Sequence, residues 1–400
     1  MGAVRTAIVA GGGIAGMAAA IALRKAGIEA TVYEAHRGSA EGVGVFLTLG
    51  SNGIDALRTL GAEHVAMDIG FPTPGIALRN SAGDLLGYSS TGLALADGTV
   101  SRTMRRSDLY AGLSQEAAAR GIRIEYGNRV TRAEQHGGGV RVWCADGAEA
   151  TADVVIGADG VHSTVRGIID PAAPAPKYSG LLTTGGYARL TETAAGHGGY
   201  EMIFGRRGFV GYATAPDGVT WWFANLPHRG EPARGAAADT DVQLRQRLRE
   251  LFADDRGPAL ALIEASPEIG APTAVHTVPK LRRWQRGRMV VVGDAAHAPS
   301  PTSGQGASLS IEDAVVLAQC LRDNDDVSAA LARFEADRKP RAQQIIRWAA
   351  RANSSKAAGP VAARIRDAMM PSLLRMTVRS KAFGDIYHHH LDWDTARVAR

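Results

Sequence analysis

Apolar positions along this chain follow two periods, and the switches between them divide it. Ala7 to Ala10 form a short continuous apolar run. Gly11-Gly12-Gly13-Ile14-Ala15-Gly16 come next, then an alanine-rich stretch from Met17 to Ala26 that closes at Gly27. The first run reads as a buried strand and the second as a helix. Another strand, Ala30 to Tyr33, stops at Glu34. Asn52 to Leu60 and Ser107 to Arg120 carry helical patterns, Ile122 to Tyr126 a strand. Gly137-Gly138-Gly139 turn a hairpin towards Val140 to Cys144, and Val154 to Ile156 and Met289 to Val292 are further buried runs. Residues 71 to 100 break this alternation with Pro72, Pro74 and turn pairs at Gly83-Asp84 and Asp97-Gly98, which predicts inserted antiparallel strands.

Beyond a proline-rich joint, Pro171 to Pro176, helical periodicity fades as far as Lys280. Phe209 to Thr214 and Val219 to Leu226 predict a second sheet there, interrupted by one helix near Asp241 to Phe252. Ser308 to Arg322 and the chain from Ser328 past Pro340 are helical again, and the tail beyond Gly359 is expected to be. The class is therefore α/β. A Rossmann-like domain is expected in three pieces, 1–71, 100–175 and 281–350. An inserted mixed β-sheet substrate domain takes 72–99 and 176–280, and residues 351–400 form a C-terminal helical segment.

The first strand, helix and second strand enclose G-x-G-x-x-G. Gly11 allows the tight turn, Gly13 lets the backbone approach a pyrophosphate, and Gly16 lets helix and strand pack closely. The helix N-terminus, beginning at Ile14 and Ala15, offers free N–H groups to the phosphates. Glu34 ends the second strand where a carboxylate accepts from ribose hydroxyls, and it would repel a 2′-phosphate. An adenine dinucleotide other than NADP is the expected resident.

Composition narrows the rest. The chain is 45% hydrophobic and 21% charged, ordinary for a globular protein, and its net charge of +5 is spread without a basic block. Nucleic acid binding is not expected. Cys144 and Cys320 are too few for a disulfide framework or a zinc site, and suit a reducing cytoplasm. No apolar run is long enough to span a membrane. Residues 7–23 imitate a signal-peptide core, but the glycine fingerprint accounts for them. Met1 to Thr6 match a myristoylation pattern, yet Gly2 lies directly against the first strand. His388-His389-His390 imitates a metal cluster but reads as a solvated run, so no metal is expected.

Two further stretches place a buried strand ahead of a Gly/Asp-rich loop: Asp153 to Arg166, containing Gly157-Ala158-Asp159-Gly160, and Arg288 to Gly306, containing Gly293-Asp294. Open α/β sheets bind ligands at such strand ends. With the fingerprint, these motifs make the chain resemble the FAD-dependent aromatic hydroxylases, single-component flavoprotein monooxygenases of the p-hydroxybenzoate and salicylate hydroxylase type. The resemblance runs from residue 6 to about 350 and is weakest over 177–280.

It implies FAD on Gly11, Gly13, Ile14, Ala15, Gly16 and Glu34. It also implies that Arg106 (with Arg105 as the one-residue alternative) contacts the flavin and Val130 the adenine. Asp159, Gly160 and Arg166 match a motif tied to FAD and NAD(P)H. Gly293 and Asp294 sit near the ribityl chain, and Gly304, Gln305, Gly306 and Ala307 near the flavin pyrimidine. Ser308 stands where the family often has Asn, which puts that hydrogen bond to flavin in question; His297 is expected to be structural. The implied reaction uses NAD(P)H as a transient co-substrate and O2, and transfers one oxygen atom through a flavin C4a-hydroperoxide to an aromatic or polyketide-like small molecule. A reductase, dehydrogenase or halogenase on the same scaffold, or a non-catalytic flavin-binding sensor, are the alternatives; the W-x-W-x-I-P halogenase signature is missing. Tyr212, Trp221 and Trp222 are the candidate pocket wall. Gly208 and Ala213 replace the His and Pro that flank the tyrosine in several relatives, so no dedicated phenol base is expected.

Overall fold

The buried runs recognised in the sequence lie side by side. The computed structural model describes residues 4–38, 44–190, 199–233, 239–299, 304–353, 360–378 and 381–399. Within them, strand Thr6–Ala10 is flanked in parallel by Glu29–Glu34 and Val154–Gly157. The sheet continues in parallel to Arg123–Tyr126 beyond the one and to Met289–Val291 beyond the other, ending in the antiparallel strand Gln285–Arg286. Three of these strands, Thr6–Ala10, Val154–Gly157 and Met289–Val291, therefore release their glycine-rich loops along one edge. Their apolar residues are buried on both faces, as central parallel strands require.

Helix Ile14–Lys25 packs between this sheet, helix Arg106–Ala119 and helix Gly306–Asp323. Every residue from Ile14 to Leu23 is buried, and alanine at positions 18, 19, 20 and 22 lets the neighbours approach. A three-stranded meander (Val130–His136, Gly139–Cys144, Glu149–Ala152) flanks the sheet. Pro340 falls inside helix Val327–Asn353 without ending it.

The second sheet has seven strands in the order Thr273–Thr277, Lys177–Arg189, Val219–Pro227, Phe209–Thr214, Tyr200–Phe204, Gly75–Asn80, Leu85–Ser90. Only Tyr200–Phe204 and Gly75–Asn80 run parallel, which makes the sheet mixed and joins the 75–90 hairpin to the later strands. One face is covered by two helices, Asp241–Phe252 and Ala259–Ala265. The sequence pattern anticipated only the first. The second is seven residues long, under two turns, too short to display a period.

The other face looks towards a small sheet made by Phe46–Leu49, Arg102–Arg105 and Phe71–Pro72. Helix Pro360–Val378 closes one end of that face. Its Met370 and Leu374 pack with Leu78, Leu86, Phe204 and Phe209, and a Cβ on Gly87 would lie 2.9 Å from Leu374. Part of the C-terminal segment thus walls the second sheet.

Candidate active site

The fingerprint loop is shaped by close backbone approach. Gly11 has φ +103°, and a Cβ there would lie 2.4 Å from the Ala158 carbonyl oxygen of the second motif. A Cβ on Gly16 would lie 1.8 Å from the Gly11 oxygen. Gly13 is different: its Cβ would meet only Tyr110, at an ordinary 3.5 Å. Gly13 caps the helix with no side-chain hydrogen bond, so the first N–H groups, at Ile14 and Ala15, point away from the helix unbonded by any cap. Glu34 lies over the loop. Its Oε2 accepts from Gly12 N at 2.6 Å and its Oε1 from His36 N at 2.8 Å. A carboxylate has about four acceptor positions, so capacity for ribose hydroxyls remains.

Arg105 and Arg106, the two register alternatives, diverge. Arg106 begins its helix and its guanidinium lies beside Tyr110, with Nη2 donating to the phenol oxygen at 3.4 Å. A Cβ on Gly44 would touch it at 3.3 Å. Burial opposes its charge, but Tyr110 and Asp294 outweigh that and hold it above its ordinary pKa. Its Nε is buried with no hydrogen-bond partner among the described residues. Arg105 instead stacks on the aromatic rings of the second sheet, its guanidinium carbon 5.1 Å from the Tyr187 ring centroid and 5.4 Å from that of Trp221.

The other two motifs lock onto the first. Gly293, at φ +58°, is wedged where a Cβ would lie 2.7 Å from Ala15 and 2.8 Å from Ser310. Asp294 follows it, opposite Arg106; burial raises its pKa, while Arg106 and His297 pull it back. Asp159 has another task. Its carboxylate accepts from Ser163 Oγ, from Thr164 N at 2.7 Å and from Val165 N at 3.1 Å, capping helix Thr164–Ile169. Gly160 takes the turn at φ +75°. The buried Arg166 side chain donates to Val161 O at 2.7 Å and Ala295 O at 3.1 Å, which ties the second motif to the third. Val130 is buried where the meander starts, opposite Cys144.

Gly304, at φ +59°, and Gln305 lead into helix Gly306–Asp323, whose start has no side-chain cap; residues 300–303 of the motif lie outside the described residues. Ser308, in the place of the family's Asn, is fully buried and its Oγ accepts from Gly50 N at 3.2 Å. That hydroxyl supports helix Ser51–Thr59. An amide comes from elsewhere: Asn52 Nδ2 donates to Gln305 Oε1 at 3.0 Å and to Glu312 at 2.7 Å.

Behind this helix start lies a buried ionic network that the periodicity did not reveal. Arg338 pairs with Glu312 and Asp313, each at 2.8 Å, and Arg341 with Glu312 at 2.7 Å. Asp313 Oδ2 also accepts from Gly293 N at 3.0 Å and meets His297 Nε2 at 2.5 Å. Burial works against ionised Glu312, but the two arginines hold its carboxyl down at about 2. His297 is thus one member of this buried network. The histidine run is not solvated throughout: burial lowers His389 to about 4, and His390 meets Asp55 at 2.6 Å.

The pocket candidates separate by strand alternation. Trp222 and Tyr212 oppose one another in the register and face the two covering helices. Trp222 Nε1 donates to Ser266 Oγ at 2.8 Å, and the Tyr212 hydroxyl to Glu201 at 2.8 Å. Neither can share a wall with Trp221, because adjacent strand residues point to opposite faces. Trp221 packs with Phe46, Phe71, Tyr200, Tyr187 and Phe223 on the face towards Arg105. The aromatic wall on this side is thus Trp221 with Phe46, Phe71, Tyr187, Tyr200 and Phe223. Phe46 and Phe71 come from distant segments, and only the assembled sheets bring them there.

The backbone cradle suits an adenine dinucleotide: glycines where a Cβ would collide, uncapped helix starts, and a buried guanidinium N–H without a partner. Residues 4–349 match the family described as FAD binding domain. The chain is 32% identical over 343 residues to a FAD-dependent urate hydroxylase of Klebsiella pneumoniae, covering 85% of this chain and 87% of the relative. It is 30% identical to a salicylate hydroxylase of Pseudomonas putida, covering 84% and 82%. The solved structure of Klebsiella pneumoniae HpxO complexed with FAD and uric acid superposes with a TM-score of 0.81 at 26% identity, over 93% of this chain and 95% of that one.

Proposed function

Because this chain belongs to the FAD-binding monooxygenase family, we propose that it inserts one atom of O2 into an electron-rich aromatic or polyketide-like small molecule at the expense of NAD(P)H. The observation that supports this reading best is the meeting of two surfaces. A glycine-built cradle opens at the strand ends, and an aromatic sheet face stands across from it. Bound FAD would take a hydride from NAD(P)H and activate O2. The residues of the chain bind, orient and keep the site dry.

Gly11, Gly13, Ile14, Ala15 and Gly16 would hold the pyrophosphate on the helix N-terminus, Glu34 the ribose, and Val130 the adenine side. Asp294 and Arg106 would flank the ribityl chain and ring, where the unpartnered Arg106 Nε can donate. The helix start at Gly304, Gln305, Gly306 and Ala307 would place a positive dipole end beside the flavin pyrimidine and favour negative charge there. Asp159, Gly160 and Arg166 act through the loop they brace. The relatives that act on urate and salicylate, and the neighbour complexed with uric acid, support a planar aromatic substrate. We also assign the cofactor to segments 1–71, 100–175 and 281–350 and the substrate to 72–99 and 176–280, with residues 360–378 joining the substrate wall.

The test is direct. Purified protein is expected to be yellow, with one FAD per chain and no second nucleotide retained. A substrate panel is then screened for NAD(P)H oxidation coupled to O2 uptake, with mass spectrometry to find a product one oxygen atom heavier. NAD(P)H oxidation without oxygen incorporation for any substrate would make it a reductase or dehydrogenase instead.

A further inference from the structure

Among the described residues, two polar groups on the aromatic side lack hydrogen-bond partners. Strand Arg102–Arg105 pairs antiparallel with Phe46–Leu49, and Arg105 sits opposite Phe46, so both side chains leave the same face. Phe46 contacts the rings of Tyr200, Trp221 and Phe223 at centroid distances of 5.5, 6.2 and 5.7 Å. Arg105 lies among the same rings, stacked on Tyr187 and Trp221. Among the described residues it makes no ion pair; Asp108, close by in the chain, accepts instead from Ser107 Oγ at 3.1 Å. Stacking occupies the flat face of a guanidinium and leaves the in-plane N–H groups along its edge free to donate.

The second group is the Trp221 indole. Its side chain is buried, 5% exposed, and Nε1 has no hydrogen-bond partner among the described residues. Its neighbour Trp222, on the opposite face, has its indole N–H fully matched by Ser266. A buried N–H without an acceptor is costly and rare, and each instance calls for a reason. Next to the Trp221 indole lies a guanidinium that makes no ion pair among the described residues.

We propose that Arg105 and the Trp221 indole N–H form an oxyanion-reading subsite, which holds an anionic oxygen of a planar aromatic substrate while the surrounding rings bury its face. This rests on the monooxygenase reading above and deepens it. The shared chemistry is a negatively charged oxygen, either a carboxylate on the ring or an ionised oxygen of the ring system itself. Arg105 is then a substrate-binding residue, separated by one position in sequence from the cofactor-side Arg106.

Binding to the FAD-loaded protein, without turnover, tests this. Benzoate carries the carboxylate, urate is a ring-system anion at neutral pH, and benzamide is the neutral counterpart of benzoate. Dissociation constants come from the change in flavin absorption, and FAD content is measured in every variant. The wild-type protein should bind at least one of the two anions about tenfold or more tighter than benzamide, the order expected for a charged hydrogen bond. The anion preferred decides between carboxylate and ring oxygen. Arg105→Met should bring that preference close to unity with FAD retained, and Arg105→Lys should restore part of it. Trp221→Phe should weaken the anion by about threefold or more while keeping the ring surface.

Equal binding of anions and benzamide by the wild type would overturn the proposal. So would a similar loss for both kinds of probe in Arg105→Met, which would make Arg105 a packing residue. Loss of FAD from Arg105→Met would place this arginine in the cradle and would also overturn it. A protein that keeps the anion preference yet never couples NAD(P)H oxidation to oxygen incorporation would refute the monooxygenase reading and leave the subsite standing.

Discussion

The dinucleotide cradle and the aromatic sheet face each other, but they are built from different materials. The cradle is backbone. Gly11, Gly16 and Gly293 stand where a single Cβ would come within 3 Å of other atoms, and the helix start at Ile14 leaves main-chain N–H donors without a side-chain cap. The aromatic face is side chain. Phe46, Phe71, Tyr187, Tyr200, Trp221 and Phe223 come from five strands, and their rings rather than their backbone form the surface. A backbone site tolerates almost no sequence change and so keeps a recognisable spelling. A side-chain surface can change its residues while the backbone beneath keeps its course.

The comparison breaks first at the support behind the cradle. Arg338→Met leaves Glu312 and Asp313 buried without their cation, and is expected to cost about 3–5 kcal/mol in chemical denaturation, or to prevent folding. Next comes a pair inside the fingerprint. Gly16→Ala must move the Gly11 carbonyl and should cost about 1–3 kcal/mol along with FAD. Gly13→Ala meets only ordinary contacts and should stay within about 0.5 kcal/mol of wild type. It should still lose FAD affinity, because the added methyl stands where the pyrophosphate approaches. If Gly13→Ala retains FAD at wild-type affinity, the pyrophosphate does not lie on this loop.

The sheet gives a smaller contrast between neighbours. Trp222→Phe removes the indole donor to Ser266 and should cost about 1–3 kcal/mol. Trp221→Phe gives up a similar ring volume but an N–H with no partner among the described residues, so it should cost less than Trp222→Phe by about 1 kcal/mol, the worth of one hydrogen bond. Equal losses would mean that strand alternation does not divide the two faces as described. The smallest effect is a pH dependence behind the cradle. Burial lowers His389 from 6.5 to about 4, so below 6.5 the unfolded chain binds a proton that the folded one refuses. Stability should therefore fall as pH drops from 6.5 towards 4. Comparing wild type with His389→Gln between pH 6.5 and 5.5 isolates this, because Glu312, with an ordinary value of 4.5, begins to protonate in the unfolded chain only below about 5.5. The variant should show a flatter dependence there.

Much of this was legible in the sequence because it is local. Four-residue apolar runs, glycines at fixed offsets and a terminal Glu34 announce strand, turn, helix and strand within thirty residues, since each requirement is met by near neighbours. The GD and DG stretches were readable for the same reason. Their division of labour was not. Asp159 looks like a ligand carboxylate in one dimension, yet three of its about four acceptor positions serve Ser163, Thr164 and Val165, and Arg166 braces Ala295. Ser308 looked like a weakened flavin contact and proved to be a support for Gly50.

The sequence by itself determined the α/β architecture, the nucleotide-binding edge and the existence of the strand around Trp221, because periodicity and backbone geometry are properties of short segments. Which face of that strand meets the cofactor side was decided only by tertiary structure. The answer depends on the helices Asp241–Phe252 and Ala259–Ala265 covering Trp222 and Tyr212, and on Phe46, Phe71 and Arg105 arriving opposite Trp221 from more than a hundred residues away. The same holds for the buried Arg338 network, whose charges look like ordinary surface residues until two helices close over them. A side chain's role is set by what it packs against, and those partners are chosen by the assembled fold.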